Sequence, residues 1–308
     1  MKISFSPYKL QGRSSFDNRE GVLLRFQFED GTTGYADCHP WQELCDQPLK
    51  KQLSMLRGGM LTPLTQRSLY FAGLDAGARL EGESLFSGFT IPPSHWLVSD
   101  FNQAIPDGFS FVKAKVGKAP LEEIPQVLSF FERLPENVKV RLDFNCRLSQ
   151  EDFEKYLNAI RKWIEKIDFI EDPFPYHSVT WKNMQNTFGV RFACDHQSER
   201  WVKDTESHSV SVLKPAVQDE QLFIQERSIV VTSYLDHPVG QVAAAFVAAN
   251  MFKTSPDQLE PCGLLSHLVY QTNEFSEQLG RQGAVLTFSQ GTGFGFDELL
   301  VNQDWKDL

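Results

Sequence analysis

Several charged residues stand at the ends of short apolar runs in this sequence. Lys113 and Lys115 share one run, and because side chains alternate between the two faces of a strand, both ammonium groups point to the same surface. A half-exposed antiparallel strand could carry such a pair in water without doing any chemistry. The later apolar runs each end on a single charged residue, which favours one shared site, and these residues are Asp143, Glu171, Asp195 and Lys214.

Three carboxylates and nearby lysines predict a metal-assisted proton transfer. Ionised carboxylates brought close together need a cation, and all-oxygen ligands favour Mg²⁺, for which Mn²⁺ can substitute. A metal and a second lysine both lower the pKa of a neighbouring lysine, which then suits a general base at neutral pH. This combination predicts abstraction of the α-proton of a carboxylate, with the resulting enediolate held by the metal.

The elements that would position these residues alternate between strand and helix from about residue 94. Eight candidate strands lie near 95–98, 110–116, 138–143, 167–171, 190–195, 210–214, 228–233 and 257–261. The segments 150–166, with a capping signal at Ser149, and 241–252 are predicted helices. Repeated short strand–helix units predict a parallel (β/α)8 barrel, in which the carboxyl ends of all strands meet at one mouth.

An open doubly wound sheet is the alternative fold. That fold would need a glycine-rich turn after its first strand, whereas the glycine-rich run of this chain is at 290–296, with no long helix after it. We therefore interpret the run as a tight turn.

The amino-terminal part has a different pattern, typical of a small antiparallel sheet followed by helices. Strands are predicted at 22–28 and 32–37 around an Asp-Gly turn, and helices at 47–57 and 64–80. The polar loop from Gly12 to Gly21 is long for such a sheet, so it is either a mobile connection or a lid.

Composition narrows the class of protein. A net charge of −10 argues against a partner that is nucleic acid or an anionic membrane surface, but a small anionic substrate stays compatible with it. Five cysteines without a C-x-x-C spacing argue against a disulfide framework or a zinc site and favour the cytoplasm. We see no secretory signal and no apolar run long enough to cross a membrane, and both monomer and dimer stay open.

The motifs and their order resemble the enolase superfamily, in its muconate-lactonizing subgroup, and most closely the o-succinylbenzoate synthases of menaquinone biosynthesis. The motifs that carry the resemblance are Lys113-Ala114-Lys115, Arg141-Leu142-Asp143-Phe144-Asn145, Glu171-Asp172-Pro173, Asp195 and Lys214-Pro215. The resemblance implies a modified (β/α)7β barrel at 91–284. It also implies an α+β capping domain at 1–90, completed by residues from about 285 to 308.

The resemblance also implies roles for the charged residues. The ligands of Mg²⁺ would be Asp143, Glu171 and Asp195. Lys115 would remove the α-proton and then protonate the departing hydroxide in a syn elimination of water. Lys214 would stabilise the enediolate from the opposite side, and Lys113 would tune Lys115. The implied reaction converts 2-succinyl-6-hydroxy-2,4-cyclohexadiene-1-carboxylate to o-succinylbenzoate.

Substrate contacts are expected from a second group of residues. Arg141 shares a face with Asp143, so its guanidinium could reach a substrate carboxylate, and Asn145 would lie beside the metal and the substrate. The seventh-strand turn resembles the substrate-binding turn of the family and would contribute Ser233, Tyr234 and Gly240. It departs from the family at Tyr234, where serine is common, and the capping motif has Asp37 where glutamate is usual.

Two other functions fit the same motifs. A racemase of N-acylamino acids or an epimerase of dipeptides would also use one lysine on each side of its substrate. A barrel-fold binding protein without catalysis is the second alternative, although the complete set of lysines and carboxylates argues against it.

Overall fold

The structure, a computed structural model, describes residues 1–13, 16–201, 203–204, 206–223, 228–289 and 291–308. The strands are β1 (Lys2–Leu10), β2 (Arg19–Gln27), β3 (Thr33–Cys38), β4 (Trp96–Val98), β5 (Phe111–Lys115), β6 (Lys139–Asp143), β7 (Ile167–Glu171), β8 (Arg191–Cys194), β9 (Val210–Leu213), β10 (Ser228–Val231), β11 (Leu279–Gln282), β12 (Val285–Phe288) and β13 (Lys306–Asp307). The α-helices are α1 (Leu49–Arg57), α2 (Pro63–Glu81), α3 (Pro120–Arg133), α4 (Gln150–Ala159), α5 (Ser178–Phe188), α6 (Ser198–Trp201), α7 (Pro238–Thr254) and α8 (Asp297–Val301).

The amino-terminal layer is an antiparallel sheet in the order β13–β1–β2–β3, covered by α2. The predicted hairpin is confirmed: Gly31 takes a positive φ of 84°, and Asp30 accepts hydrogen bonds from the Thr32 backbone and hydroxyl. Helix α2 begins at a capping box formed by Thr62 and Thr65. It packs so closely on β3 that a Cβ at Gly34 would lie 1.8 Å from a backbone oxygen of the helix.

The second layer is a parallel sheet in the order β10–β9–β8–β7–β6–β5–β4. Side chains alternate along its strands as predicted. In β5, Val112 and Ala114 pack in the apolar cluster with α3 and α4 residues, whereas Lys113 is on the opposite face. The seven predicted strands from 95–98 to 228–233 are all found, with ends shifted by one to two residues.

The predicted eighth strand at 257–261 was wrong. Pro256–Gln258 forms a 3-10 turn, and Pro261 has no N–H to offer a neighbouring strand. The segment instead makes single parallel bridges to both edges of the sheet: Leu259 pairs with Ile229, and Cys262 with Ser94 next to β4. These bridges close the sheet into a barrel.

The helix predictions were correct in position but not in length. Ser149 caps α4 by accepting from the Asp152 N–H, yet α-helix ends at Ala159 and continues as the 3-10 segment Arg161–Lys166. Helix α7 begins earlier than predicted, because Pro238 has the φ that a first turn requires.

The carboxy-terminal segment returns to the amino-terminal layer, where β13 pairs with β1. The glycine-rich run is a turn, as interpreted, with Gly293 and Gly295 at φ values of 57° and 86°; Gln290 lies outside the described residues. The domain limits near 90 and 285 stay predictions.

Two other expectations concern loops and membranes. The Gly12 to Gly21 loop includes Ser14 and Ser15, which lie outside the described residues, so its proposed role as a lid is not tested. Within the described part of the chain, no helix is both long enough and apolar enough to cross a bilayer.

Candidate active site

The charged residues singled out in the sequence meet at one end of the barrel, because each ends a strand or follows it directly. The strand register places Lys115 beside Asp143, and Asp143 beside Glu171. Asp195 follows β8, and Lys214 follows β9. Parallel strands bring their carboxyl ends to a common rim, so the geometric expectation from the sequence is met.

Lys113 lies between two of the carboxylates. Its Nζ donates to Glu171 Oε1 and Oε2 at 2.6 and 2.7 Å and lies 3.0 Å from Asp143 Oδ2. All three side chains are nearly buried. Burial acts to lower the pKa of Lys113, but the charges of Asp143 and Glu171 raise it well above its usual range.

The two carboxylates respond differently to this environment. Burial, and next the charge of Asp143, raises the pKa of Glu171 to about 7. The pKa of Asp143 is lowered: burial acts upward, but the charges of Lys113 and Lys115 outweigh it. The lysine charges therefore stabilise ionised Asp143, whereas burial and the neighbouring carboxylate favour the protonated form of Glu171.

The pKa of Lys115 is lowered, in contrast to the raised pKa of Lys113. Its side chain is exposed at the mouth, yet the protein around it removes enough water to lower its pKa, and the charges of Lys113 and Lys214 act in the same direction against that of Asp143. The lowered pKa of Lys115 has the direction expected for a general base. The pKa values of Lys113 and Lys214 are raised instead, since carboxylates bond directly to these two lysines.

Lys214 and Asp195 form the other side of the mouth. The Nζ of Lys214 donates to Asp195 Oδ2 at 2.6 Å, and this pairing raises the pKa of the lysine although burial acts to lower it. The other oxygen, Asp195 Oδ1, is buried and has no hydrogen-bond partner among the residues that the structure describes. Asp172 holds the turn after β8 by accepting from the backbone N–H groups of Asp195 and His196.

The carboxylates fit a hard cation by their chemistry. Asp143, Glu171 and Asp195 supply only oxygen atoms, and the unpaired oxygen of Asp195 is a buried acceptor that needs a donor or a cation. In the described ranges, however, no group of three or more His, Cys, Asp or Glu side chains converges closely enough to hold a metal ion. The ammonium groups of Lys113 and Lys214 provide the positive charge between these carboxylates.

Arg141 lies on the inner face, as alternation predicts, but it does not extend towards the mouth. Its Nε donates to Asp168 at 2.8 Å, its Nη1 bonds His95 and the backbone oxygen of Pro261, and the side chain is fully buried. The expected contact of Arg141 with a substrate carboxylate is therefore not supported, because the guanidinium is buried and bonded within the protein. The acid that binds the guanidinium, Asp168, lies three residues before Glu171 on β7, towards the end of the barrel opposite the mouth.

The remaining predicted contacts are distributed around the mouth. Asn145 donates to Asp143 Oδ1 from its Nδ2 at 2.7 Å. The Ser233 hydroxyl donates to Ser266 at 2.6 Å. Gly240 lies in the first turn of α7, where a Cβ would be 2.5 Å from Asp236 Oδ2 and 2.7 Å from Asp37 Oδ2. Gly240 thus allows two carboxyl groups to approach each other.

Tyr234 lines a cavity of about 1100 Å³ between the amino-terminal layer and the barrel mouth. The cavity reaches Asp195 and Lys214 and is also lined by Leu44 and Asp46 from the other layer. Sequence reasoning did not identify Asp46, because it lies in a polar stretch with no apolar run to mark its position. The cavity is large enough for a small organic acid.

Comparison with known proteins agrees with these motifs. Residues 3–78 match the family model described as O-succinylbenzoate synthase, N-terminal domain. The o-succinylbenzoate synthase of Bdellovibrio bacteriovorus is 34% identical over an alignment of 331 positions, which covers 100% of this chain and 99% of the relative.

Solved structures show the same fold. A dipeptide epimerase from Cytophaga hutchinsonii, solved with Mg and the dipeptide D-Ala-L-Val, has a TM-score of 0.78 at 14% identity, covering 100% of this chain and 99% of its own. Muconate lactonizing enzyme from Pseudomonas putida has a TM-score of 0.75 at 14% identity and 98% coverage of both chains. At such identities the likeness concerns the capped barrel alone. The full-length relative decides the family, and the chain belongs to the o-succinylbenzoate synthase family of lyases, in the enolase superfamily.

Proposed function

We propose that this protein dehydrates 2-succinyl-6-hydroxy-2,4-cyclohexadiene-1-carboxylate to o-succinylbenzoate, as a Mg²⁺-dependent step of menaquinone biosynthesis. The observation that carries the proposal is the state of Lys115: its pKa is lowered at the open mouth, one strand away from the buried Asp143. A lysine in that state is suited to accept a proton from a substrate carbon. All five cysteines are free thiols, which supports a location in the reducing cytoplasm.

The proton movements follow from the positions of the lysines. Lys115, as the neutral amine, takes the α-proton of the ring carboxylate and becomes an ammonium. It then returns that proton to the hydroxyl group leaving from the adjacent carbon, so that the C–O bond breaks, water departs and the ring becomes aromatic. One residue serving both steps requires that the proton and the hydroxyl leave from the same face of the ring.

Lys214 and Lys113 act by charge in this proposal. The raised pKa of Lys214 keeps it an ammonium across the mouth, where it stabilises the negative charge that develops on the carboxylate oxygens. Lys113, also an ammonium, adds a positive charge near Lys115 and so favours its neutral form.

The metal ligands would be Asp143, Glu171 and Asp195, with Asn145 supporting Asp143. Bound Mg²⁺ would supply positive charge to the carboxylate next to the carbon that loses its proton. The unpaired Asp195 Oδ1 supports this assignment, because it is a buried acceptor that a cation could satisfy.

Substrate contacts are proposed on the seventh-strand side of the cavity. Tyr234 lines the cavity beside Lys214 and is the residue of that turn that we place nearest the substrate. Ser233 and Gly240 would support the turn, through the hydroxyl bond to Ser266 and the close approach of the two carboxyl groups.

Epimerisation of an N-acylamino acid or dipeptide is the second candidate. It is favoured by the presence of Lys115 and Lys214 at the same mouth, since two lysines can deliver protons from opposite faces. In that reaction the α-proton of both stereoisomers would exchange with solvent deuterium without loss of water.

The direct test follows the diene absorbance of the dehydration substrate with purified protein and Mg²⁺, beside Lys115→Ala and an EDTA-treated sample. We expect rapid loss of absorbance that both controls abolish. If the wild-type protein with Mg²⁺ leaves the diene intact, the dehydratase assignment is overturned, and deuterium exchange into N-acylamino acids becomes the next measurement.

A further inference from the structure

The segment after β3 folds into a closed loop whose own carboxylate holds it together. We call residues 41–46 the cap loop. Its first residue, Trp41, donates its backbone N–H to Asp46 Oδ2 at 2.9 Å, and the Asp46 N–H donates to the Trp41 oxygen at 3.1 Å. Between them lies the 3-10 turn Gln42–Leu44, followed by Cys45 at a positive φ of 72°. The loop is therefore compact. Arg19 of β2 holds it to its own layer by pairing with Glu43 at 2.9 Å and stacking on the Trp41 ring, so Asp46 is left to join it to the barrel.

Asp46 also bonds to the barrel. The hydroxyl of Tyr234 donates to the same oxygen, Asp46 Oδ2, at 3.0 Å. The Tyr234 ring further contacts the Trp41 ring edge-on at 6.3 Å between centroids, and only 5% of Tyr234 is exposed. One carboxylate oxygen thus joins the cap loop internally and joins it to the seventh-strand turn.

This joint lies next to the reacting groups. The Nζ of Lys214 is 5.9 Å from the centre of the Tyr234 ring and is bonded to Asp195 on its other side. Leu44 and Asp46 of the cap loop line the same cavity as Lys214. The cap loop therefore forms part of the wall of the cavity near Lys214.

We propose that Tyr234 is a positioning residue that holds the cap loop against the barrel mouth through its hydroxyl bond to Asp46. The inference rests on the proposed function, since it assigns the cavity to the dehydration substrate. When the bond is present, the wall beside Lys214 is complete and water is kept from that ammonium group. When it is lost, the loop moves away, the substrate is held less tightly, and Lys214 is hydrated more.

The hydroxyl, not the ring, is the group that the proposal requires, so Tyr234→Phe is the informative variant. A hydrogen bond to a carboxylate contributes more than one between neutral groups, and we expect Tyr234→Phe to lower kcat/KM about tenfold with most of the change in KM. Asp46→Ala should lower kcat/KM at least as much, because it also removes the bond that closes the loop at Trp41. The double variant should be no more than about twofold worse than Asp46→Ala alone, because the Tyr234 contact is already lost in that variant.

Tyr176→Phe is the matched control. The Tyr176 hydroxyl also donates to a carboxylate, that of Asp204, but this bond is within the barrel domain and neither residue lines the cavity. We expect its kcat/KM to stay within about twofold of the wild type. Equal losses in Tyr176→Phe and Tyr234→Phe, or additive losses in the Tyr234→Phe, Asp46→Ala double variant, would overturn the positioning role.

Amide hydrogen exchange of residues 41–47 tests the contact without any substrate. Exchange should be faster in Tyr234→Phe than in the wild type, while the thermal midpoint of the whole protein changes by no more than about 3 °C. Unchanged exchange would overturn the proposal. If the wild type does not act on the diene but exchange still rises in Tyr234→Phe, the dehydratase assignment fails and the contact is supported, so the two failures are distinguishable.

Discussion

Lys113, Lys115 and Lys214 carry the same ammonium group, and their immediate partners separate them chemically. Lys113 and Lys214 each bond a carboxylate at 2.6 Å and keep their charge, whereas Lys115 is subject mainly to desolvation and to the repulsion of the other two. The pKa of a group shifts towards the form that its surroundings favour, so only Lys115 is adjusted to act as a base. The other two lysines supply fixed charge.

Removing Lys115 should therefore affect the chemical step and not the fold. We expect Lys115→Ala to lower kcat at least about a thousandfold, in keeping with the loss of a general acid–base group, with little change in thermal stability. Lys118→Ala, at an exposed position in the turn after the same strand, is the control and should keep its rate within about twofold. Initial rates on the diene measure both. More than a tenth of the activity remaining in Lys115→Ala would contradict the assignment.

The metal ligands can be tested by thermal stability, independently of catalysis. A cation that binds only the folded chain adds about 2.7 kcal/mol to the free energy of unfolding when its concentration is a hundred times Kd. The melting temperature therefore rises with the concentration of the cation. We expect MgCl₂ to raise the melting temperature of the wild type by several degrees, and Asp195→Asn to lose most of this rise. Asp257→Asn, an exposed change near the other end of the barrel, should keep it. An equal rise in Asp195→Asn would exclude Asp195 as a ligand.

Sequence could predict which face and which end of a strand these residues occupy, but not their partners. Alternation correctly put Arg141 on the face of Asp143, and its bond to Asp168 depends on a register shift between β6 and β7 that no local pattern records. Tyr234 was expected at the substrate cavity because its turn resembles the substrate-binding turn of the family. Its bond to Asp46 joins residues 188 positions apart and could not be inferred.

At the scale of elements, the sequence predicted the positions of strands best where an apolar run ends on a charged residue. The strands β5 to β9 have this pattern, and their ends were placed within one or two residues. The segment that closes the barrel has no such run, because Pro256 and Pro261 interrupt it and single bridges replace a ladder. The short hairpin of β11 and β12 has four residues per strand and gave no periodic signal.

Two carboxyl groups lie close together where the end of β3 packs against the start of α7. Asp37 is the penultimate residue of β3, Asp236 lies two residues before α7, and both approach the space left by Gly240. Asp37 accepts from the Tyr8 hydroxyl at 2.6 Å and the His237 N–H at 3.1 Å. Burial raises the pKa of Asp37 to about 7, and burial together with the charge of Asp37 raises the pKa of Asp236 further above its usual range.

This pair predicts a specific pH dependence of stability. In the unfolded chain both carboxyls lose their protons near pH 4, while the folded chain keeps them up to about pH 7 or beyond, so folding takes up protons and stability falls as pH rises through this window. The facing groups stay neutral there, since burial lowers the pKa of His39 and His237 to about 3 and raises that of Tyr8. Asp236→Asn removes one proton-binding group and keeps the shape of the protonated acid.

We therefore expect the melting temperature of Asp236→Asn, relative to the wild type, to increase between pH 5 and pH 8 by about 3 °C or more. Scanning calorimetry at constant Mg²⁺ and ionic strength would measure it, with Asp257→Asn as an exposed control. A constant difference between Asp236→Asn and the wild type over this range would mean that the pair does not hold excess protons in the folded state.

At the scale of the whole molecule, the capping layer and the barrel share one apolar core. A single buried cluster includes Leu24 and Phe71 of the capping layer, Val242 of α7, and Phe294 of the returning carboxy-terminal segment. Asp75 fixes this return, since its carboxylate accepts from the backbone N–H groups of Tyr35 and Phe294 and pairs with Arg79 at 2.7 Å. Layers joined through one core are expected to unfold together.

Gly293→Ala tests this coupling, with Gly283→Ala as its matched control. Both glycines have a φ near +58°, so alanine costs each about 1–2 kcal/mol of backbone strain. At Gly293 the new Cβ would also lie 2.0 Å from Asp75 Oδ1 and displace that buried carboxylate, whereas at Gly283 its nearest neighbour is 3.8 Å away. We expect Gly293→Ala to lower the melting temperature by at least about 5 °C more than Gly283→Ala, because hydrogen bonds to a buried charge are lost as well. Circular dichroism and residual dehydratase activity should lose half their signal at the same temperature in each variant. Equal destabilisation by the two substitutions, or activity that survives a separate first transition, would show that the carboxy-terminal return does not couple the capping layer to the barrel.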